Sequence, residues 1–198
     1  MTDWDARYGD HSWVFGTEPN DFLREQADQL PPGRVLCLAE GQGRNAVWLA
    51  QRGHDVTAMD QSAVGLEGAR RLAAERGVRI GTVHADLAAY EIEPGAWNGI
   101  VSIYAHVDGE LRARVHAQVE RGLAPGGVFV LEAYRPDQIG RGTGGPSEDD
   151  RMVNLERLRR ELPSLEFVLA REIDREVLEG HRHRGMSSVV QLVARRLA

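Results

Sequence analysis

The sequence predicts an α/β protein built on a parallel sheet that closes with an antiparallel hairpin. Three observations carry this. Short apolar runs alternate with amphipathic, helix-like stretches along the chain, which is the pattern of strands joined by crossover helices. A glycine turn stands between the first apolar run and the first helix that follows it. The last two β-like stretches are separated only by the glycine-containing segment Glu179 to Gly185, too short for a crossover and suited to a hairpin.

The elements follow in order. Thr17-Glu18-Pro19-Asn20 reads as a turn and N-cap before an amphipathic helix ending near Leu30, stopped by Pro31-Pro32-Gly33. Arg34 to Ala39 is a continuous apolar run, expected as a strand buried on both faces. A helix then reaches Arg52 with Gly53 as terminator, and Asp55 to Met59 is strand two. Ser62 caps a helix running to Arg76. Arg79 to Ala85 is strand three, Gly99 to Ala105 strand four, Gly109 to Leu123 a helix and Gly127 to Tyr134 strand five. Residues 135 to 148, rich in Gly and Pro, read as a loop, and Asp149 to Leu162 as a charged amphipathic helix. Leu165 to Leu178 and Ser187 to Arg195 are the hairpin strands. Residues 1–198 are expected to form one domain, with 1–32 packed on it as an N-terminal helix and lid segment.

Composition narrows the function. The 198 residues suffice for one full core, with 42% hydrophobic and 27% charged residues. No apolar run approaches the ~20 residues that span a bilayer, and Met1 to Asp10 has no apolar signal-peptide region. One cysteine, Cys37, lies in an apolar run, which suits a reducing cytoplasm. The net charge of −6 works against nucleic-acid binding. All 24 basic residues are Arg; without lysine, Schiff-base and P-loop chemistry are excluded.

The glycine turn Leu38-Ala39-Glu40-Gly41-Gln42-Gly43-Arg44-Asn45-Ala46 is the most informative segment. Glycine permits a tight turn and close approach of a ligand to the backbone, and N–H groups at a helix N-terminus favour an anion. That anion is the carboxylate of a methionine-type cofactor or the pyrophosphate of a dinucleotide, because the spacing fits both. Asp60 ends strand two, twenty positions after Glu40, placed to accept from ribose hydroxyls. Asp86, with Leu87 beside it, ends strand three and can accept from an adenine amine. Three carboxylates thus end three successive strands at the edge where open α/β sheets bind ligands. Leu123-Ala124-Pro125-Gly126-Gly127 is a helix stop and turn before strand five.

Together the glycine turn, Asp60, Asp86, the L-x-P-G-G turn and the closing hairpin resemble class I S-adenosylmethionine-dependent methyltransferases. The closer likeness is to the small bacterial tellurite-resistance and thiopurine methyltransferase groups. It is carried by Trp4-Asp5-Ala6-Arg7-Tyr8, Phe15-Gly16-Thr17-Glu18-Pro19, Glu40 to Ala46 and Gly142-Thr143-Gly144-Gly145-Pro146. The resemblance implies a Rossmann-like, doubly wound, seven-stranded sheet of order 3-2-1-4-5-7-6 with strand seven antiparallel. It implies that S-adenosylmethionine is the cofactor, with Glu40, Gly41, Gly43, Arg44 and Asn45 at its methionine part, Asp60 and Gln61 at the ribose, and Asp86 and Leu87 at the adenine. The chain departs from the common D-x-G-x-G-x-G pattern, with Glu40 first and Asn45 at the last glycine position.

Methyl transfer by in-line displacement asks mainly for alignment, and a sulfonium suits aromatic surroundings. Tyr8, Trp13, Phe15 and Tyr104 are the aromatic candidates, Tyr104 serving the cofactor and the chemistry. His106, just past strand four, is the candidate general base. Tyr8, Phe15, Tyr134 and Arg135 are the expected contacts of a small-molecule acceptor, Arg135 for an acidic one. The Gly140–Pro146 loop and the aromatic N-terminal segment are expected to form a lid. His181-Arg182-His183 lacks a third ligand and is a poor zinc site, so no metal is expected. The rival functions are an NAD(P)-dependent oxidoreductase using the same turn, disfavoured by the P-G-G turn and hairpin, and a cofactor-binding protein without turnover.

Overall fold

The computed structural model describes residues 3–9, 12–180 and 183–197. Seven strands form one sheet: β1 (Arg34–Leu38), β2 (Asp55–Asp60), β3 (Gly81–His84), β4 (Trp97–Ile103), β5 (Leu123–Tyr134), β6 (Leu165–Glu179) and β7 (His183–Arg196). Their order is β3-β2-β1-β4-β5-β7-β6. The pairs from β3 through β5 are parallel. β7 runs antiparallel to β5 and to β6, as expected.

Alternation along β1 shows why both faces are covered. Leu36 and Leu38 join one apolar cluster with Val115 and Val119 of α5 (Gly109–Gly122) and Leu158 of α6 (Leu155–Glu161). Val35 and Cys37 join the opposite cluster with Phe22 and Leu23 of α2 (Asp21–Gln26), Ala46 and Leu49 of α3 (Arg44–Gln51) and Leu66 of α4 (Ala63–Glu75). A strand with apolar side chains on both faces must be sandwiched, and each fully buried Leu contributes roughly 1.5–3 kcal/mol. The helices change face between the β1–β2 and β4–β5 crossovers. The chain therefore reverses direction between β1 and β4, the switch point at which open α/β sheets leave a crevice.

Several expectations need correction. The N-terminal segment holds a short helix, α1 (Trp4–Tyr8), capped by Asp3, whose side chain accepts the Ala6 N–H at 3.0 Å. The helix expected from Asp149 to Leu162 is broken. Asp149–Arg151 is a 3₁₀ turn, and α6 begins only at Leu155, capped by Asn154. The break lets Met152 and Val153 bury themselves, with the Val153 N–H bonded to the Tyr134 carbonyl at 3.2 Å. Arg112 and Arg157 satisfy the carbonyls that the break exposes. β5 starts at Leu123 rather than Gly127, because Leu123 already pairs with Trp97 before the register shifts across the P-G-G turn to Gly99–Val128. Among the described residues, no helix is long and apolar enough to cross a membrane.

Candidate active site

The C-terminal ends of β1, β2 and β4, with α1 and the loop before α6, enclose a cavity of about 640 Å³. Glu40, Arg44, Asn45, Asp60, Gln61, Asp86, Leu87, Tyr104, His106, Tyr8 and Phe15 all line it, so most of the sequence-derived site is brought together in one place.

At the glycine turn, the acids do something the sequence did not suggest. The Glu40 carboxylate accepts the backbone N–H of Asn45 at 2.9 Å and of Ala46 at 2.8 Å. It caps α3, where Gly43 in the left-handed region (φ 86°) offers no side chain to do so. The anion-binding end of α3 is thereby filled by the protein's own carboxylate, not left open for a cofactor. Asp60, buried, accepts the Gly41 N–H at 2.8 Å and the Ser62 N–H at 2.7 Å. Burial pushes Glu40 up to about 7 against the bonds from Ala46 and Asn45 and the charge of Arg44. Burial likewise raises Asp60. Neither Gly41 nor Gly43 is in the cavity wall. A Cβ on Gly41 would stand 2.5 Å from the Tyr8 hydroxyl, and one on Gly43 would strike Ala69 of α4 at 2.6 Å. These glycines admit α1 and α4 to the turn.

The N-terminal segment is held over this turn by side chains. Asp5 accepts from the Ser62 hydroxyl at 2.5 Å. Gln42 accepts the Val14 N–H at 3.0 Å and donates to the Ser12 carbonyl at 2.7 Å. Trp4, Tyr8 and Phe15 form an aromatic cluster, the Trp4–Tyr8 pair stacked at 5.7 Å. Trp13 instead packs on Val47 and Leu72 beneath the Arg71 guanidinium, outside the cavity wall.

At the end of β4, Tyr104 adopts a positive φ of 56°. Its hydroxyl donates to Glu132 at 2.6 Å and its backbone N–H to the Glu132 carbonyl at 2.8 Å. His106 faces the cavity, but both ring nitrogens are engaged. Nε2 accepts the Tyr134 N–H at 3.5 Å, so Nδ1 carries the proton and donates to the Arg151 carbonyl at 3.2 Å. Burial, with the Arg151 and Arg112 charges, pushes its pKa down to about 4. The expected near-neutral general base is thus a neutral, fully bonded imidazole.

Two expected acceptor contacts are elsewhere. Tyr134 is fully buried behind the wall, 4.6 Å from the Tyr104 ring and stacked on His106 at 5.4 Å. Arg135 turns to the opposite side, where it pairs with Asp137, Glu172 and Asp174. The strand pleat sends successive side chains to opposite faces, and the pocket lies past the strand end. Of the 140–146 loop, Gly145 and Pro146 reach the cavity, and Gly145 lies against the Tyr134 ring. His181, Arg182 and the His183 side chain lie outside the described residues.

The sequence reading missed a buried polar network beneath the site. Asn20, fully buried, donates to Glu132 at 2.9 Å and Glu179 at 2.7 Å, while its own oxygen accepts the Leu23 N–H. Arg44 pairs with Glu179 at 2.5 Å. Arg175 lies 3.6 Å from Glu132 and 3.7 Å from Glu179, and Gln191 also donates to Glu132. A glutamate inside the apolar run Val128 to Tyr134 was the one signal available. Trp4 and Arg7, also in the wall, were legible only through the likeness carried by Trp4 to Tyr8, and Arg151 carried no signal.

Fold and cavity define an open α/β protein with an acid-lined ligand crevice at its switch point. Comparison with known proteins shows what the chain is similar to. Residues 35–127 match the family described as a methyltransferase domain. Over 133 residues the chain is 28% identical to a 2-heptyl-1-hydroxyquinolin-4(1H)-one methyltransferase of Mycobacteroides abscessus, covering 63% of this chain and 59% of that protein. Over 111 residues it is 31% identical to a demethylmenaquinone methyltransferase of Thermus thermophilus, covering 55% and 50%. The match therefore spans half to three fifths of these relatives' lengths. In fold, the chain is similar to TehB from Haemophilus influenzae, with a TM-score of 0.76 at 20% identity over 98% of this chain and 67% of that one. Residues 35–127 are thus similar to the methyltransferase domain family, and nearly the whole chain shares the fold of TehB.

Proposed function

We propose that the chain transfers a methyl group from S-adenosylmethionine to a small-molecule acceptor by in-line displacement. The observation that carries this is the arrangement of Glu40, Asp60 and Asp86 around one cavity whose wall also holds the rings of Trp4, Tyr8, Phe15 and Tyr104. The donor set fits the cofactor. A half-buried Glu40 raised to about 7 is a group that a cationic ligand would draw into its ionised form. Asp86 is exposed and engaged through one oxygen by the Ala88 N–H at 2.8 Å. When bound, the cofactor supplies an electrophilic methyl group on a sulfonium.

In this reading Glu40 meets the methionine part, Asn45 and the turn backbone shape that end, Asp60 and Gln61 hold the ribose, and Asp86 with Leu87 holds the adenine. Tyr104 presents its ring at the end of β4, where aromatic surroundings suit a cation. The N-terminal segment excludes water as a lid, and its Tyr8 and Phe15 meet the acceptor. Both curated relatives are named for small-molecule acceptors, which supports the acceptor class.

Calorimetric titration with S-adenosylhomocysteine and, separately, with NAD tests the reading. Micromolar binding of the first, weakened at least tenfold in Asp60→Asn, is the expected result. Binding of NAD alone would replace the reading with the oxidoreductase. Tight binding of S-adenosylhomocysteine without methylation across a broad acceptor panel would leave a binding protein.

A further inference from the structure

We propose that the acceptor is a planar aromatic molecule, held against two sets of rings in the cavity wall. This rests on the methyltransferase reading for what happens to the ligand, though not for the presence of a ring-binding site.

The first set comes from the N-terminal segment. Trp4 and Tyr8 stack at 5.7 Å with planes 26° apart, and Phe15 meets the Tyr8 ring edge-on at 6.5 Å. The second set stands at the ends of β4 and β5. His106 stacks on Tyr134 at 5.4 Å with planes 10° apart, and the Tyr104 ring lies 4.6 Å from Tyr134. Tyr134 is fully buried and backs the other two, while Tyr104 and His106 line the cavity with Trp4, Tyr8 and Phe15. Rings from two separate parts of the chain thus border one cavity. Trp4, Phe15, Tyr104 and His106 are each only partly covered by protein, so ring surface is left for a ligand.

The polar atoms of the second set are engaged elsewhere. Both nitrogens of His106 are bonded to backbone, and the Tyr104 hydroxyl donates to Glu132. These two groups therefore meet a ligand as flat surfaces. Ala105, Val107, Leu111 and Pro146 add apolar surface to the same wall. A cation is also drawn to aromatic faces, but the guanidinium groups here oppose one. Arg7 stands 4.7 Å over the Trp4 ring, and the Arg151 charge acts on His106. Of the carboxylates in this part of the wall, Asp108 caps α5 through the Leu111 N–H at 2.9 Å, and Glu148 is the other.

The rings are also fixed in place. Tyr8 fills a notch in which a Cβ on Gly41 would stand 2.5 Å from its hydroxyl and one on Gly65 3.1 Å from its ring. Tyr104 and His106 are held by the bonds just given. Rings already in position lose little freedom when a flat ligand enters, and aromatic pairs attract beyond the area they bury. A saturated ring of similar size gains only the area term.

The probes are 2-naphthol and its saturated counterpart decahydro-2-naphthol, titrated calorimetrically with and without saturating S-adenosylhomocysteine. The wild type is expected to bind 2-naphthol about fivefold tighter. Trp4→Leu and Phe15→Leu keep apolar bulk and each remove one ring; each is expected to lower that preference about threefold with unchanged affinity for S-adenosylhomocysteine. Urea unfolding checks that each variant folds, and either one suffices for the test. Equal or no binding of the two probes by the wild type overturns the proposal, as does a preference that survives undiminished in the folded variants. Tighter binding of tetramethylammonium than of 2-naphthol would assign the rings to a cation and overturn it. A loss of S-adenosylhomocysteine affinity of about tenfold in the variants would assign the rings to the cofactor and also overturn it. Failure of S-adenosylhomocysteine to bind at all refutes the cofactor reading, while the titrations without it still report the ring preference.

Discussion

The Glu40 carboxylate meets the Ala46 backbone N–H at 2.8 Å, so the residue that ends β1 also caps the helix that follows. Its pKa is pushed up to about 7, chiefly by burial. Below the ordinary carboxylate value of ~4.3, folded and unfolded chains both hold the proton. Between there and 7 the unfolded chain releases it first, so Glu40 lowers stability progressively as pH rises through that window. Glu40→Gln keeps an oxygen for both N–H groups and removes the titration. Urea unfolding at pH 4.5 and 7.5 should show the variant gaining about 2 kcal/mol on the wild type across that interval. An unchanged difference would mean that Glu40 ionises normally.

His106 works in the opposite direction. With a folded pKa near 4 and an unfolded value of ~6.5, its contribution is fully present above ~6.5 and is lost as pH falls toward 4. The wild type should lose about 2 kcal/mol more than His106→Asn between pH 7.5 and 4.5. In the ¹⁵N spectrum the ring should remain the neutral Nδ1–H tautomer down to pH 5. Titration near 6.5 would restore it as a candidate base.

Gly41 and Tyr8 should behave as a coupled pair. Gly41→Ala places a methyl group 2.5 Å from the Tyr8 hydroxyl at a φ of 61°, so it displaces α1 and strains the turn. Affinity for S-adenosylhomocysteine should fall about tenfold, about 1.4 kcal/mol. Removing the hydroxyl in Gly41→Ala/Tyr8→Phe should recover part of that loss, because the two residues touch. Simple additivity in the cycle would show that α1 does not rest on the turn.

Asn20 tests the buried network. Its amide donates to Glu132 and Glu179 together. Asn20→Ala should cost about 2–4 kcal/mol by leaving two buried acceptors short of a donor. Asn20→Asp should cost more than Asn20→Ala, since it sets a third carboxylate against the other two. Thermal unfolding of the two variants ranks them, and an aspartate variant as stable as the alanine one would mean that the network is open to water.

Much of the fold was legible in the sequence because its determinants are local. Apolar runs such as Val35 to Leu38 declare strands buried on both faces. Asn20, Ser62 and Asp108 are caps readable from residue type, and all three accept a helix N–H. The short connection after Glu179 requires an antiparallel return. The α6 region was misread because its helical pattern is genuine locally, and only the chance to bury Met152 beside Tyr134 breaks it.

The sequence by itself determined the order of strands and helices, the glycine turn, and the carboxylates at the strand ends that form one side of the cavity. Those follow from periodicity, backbone freedom and the fixed polarity of crossover connections. Tertiary structure alone decided how the polar groups are spent: Glu40 on the end of α3, both nitrogens of His106 on backbone, Arg135 turned away, and Arg44 on Glu179. A hydrogen bond between residues 135 positions apart, as Arg44 and Glu179 are, depends on where the sheet brings distant segments together. No local pattern in the chain encodes that distance.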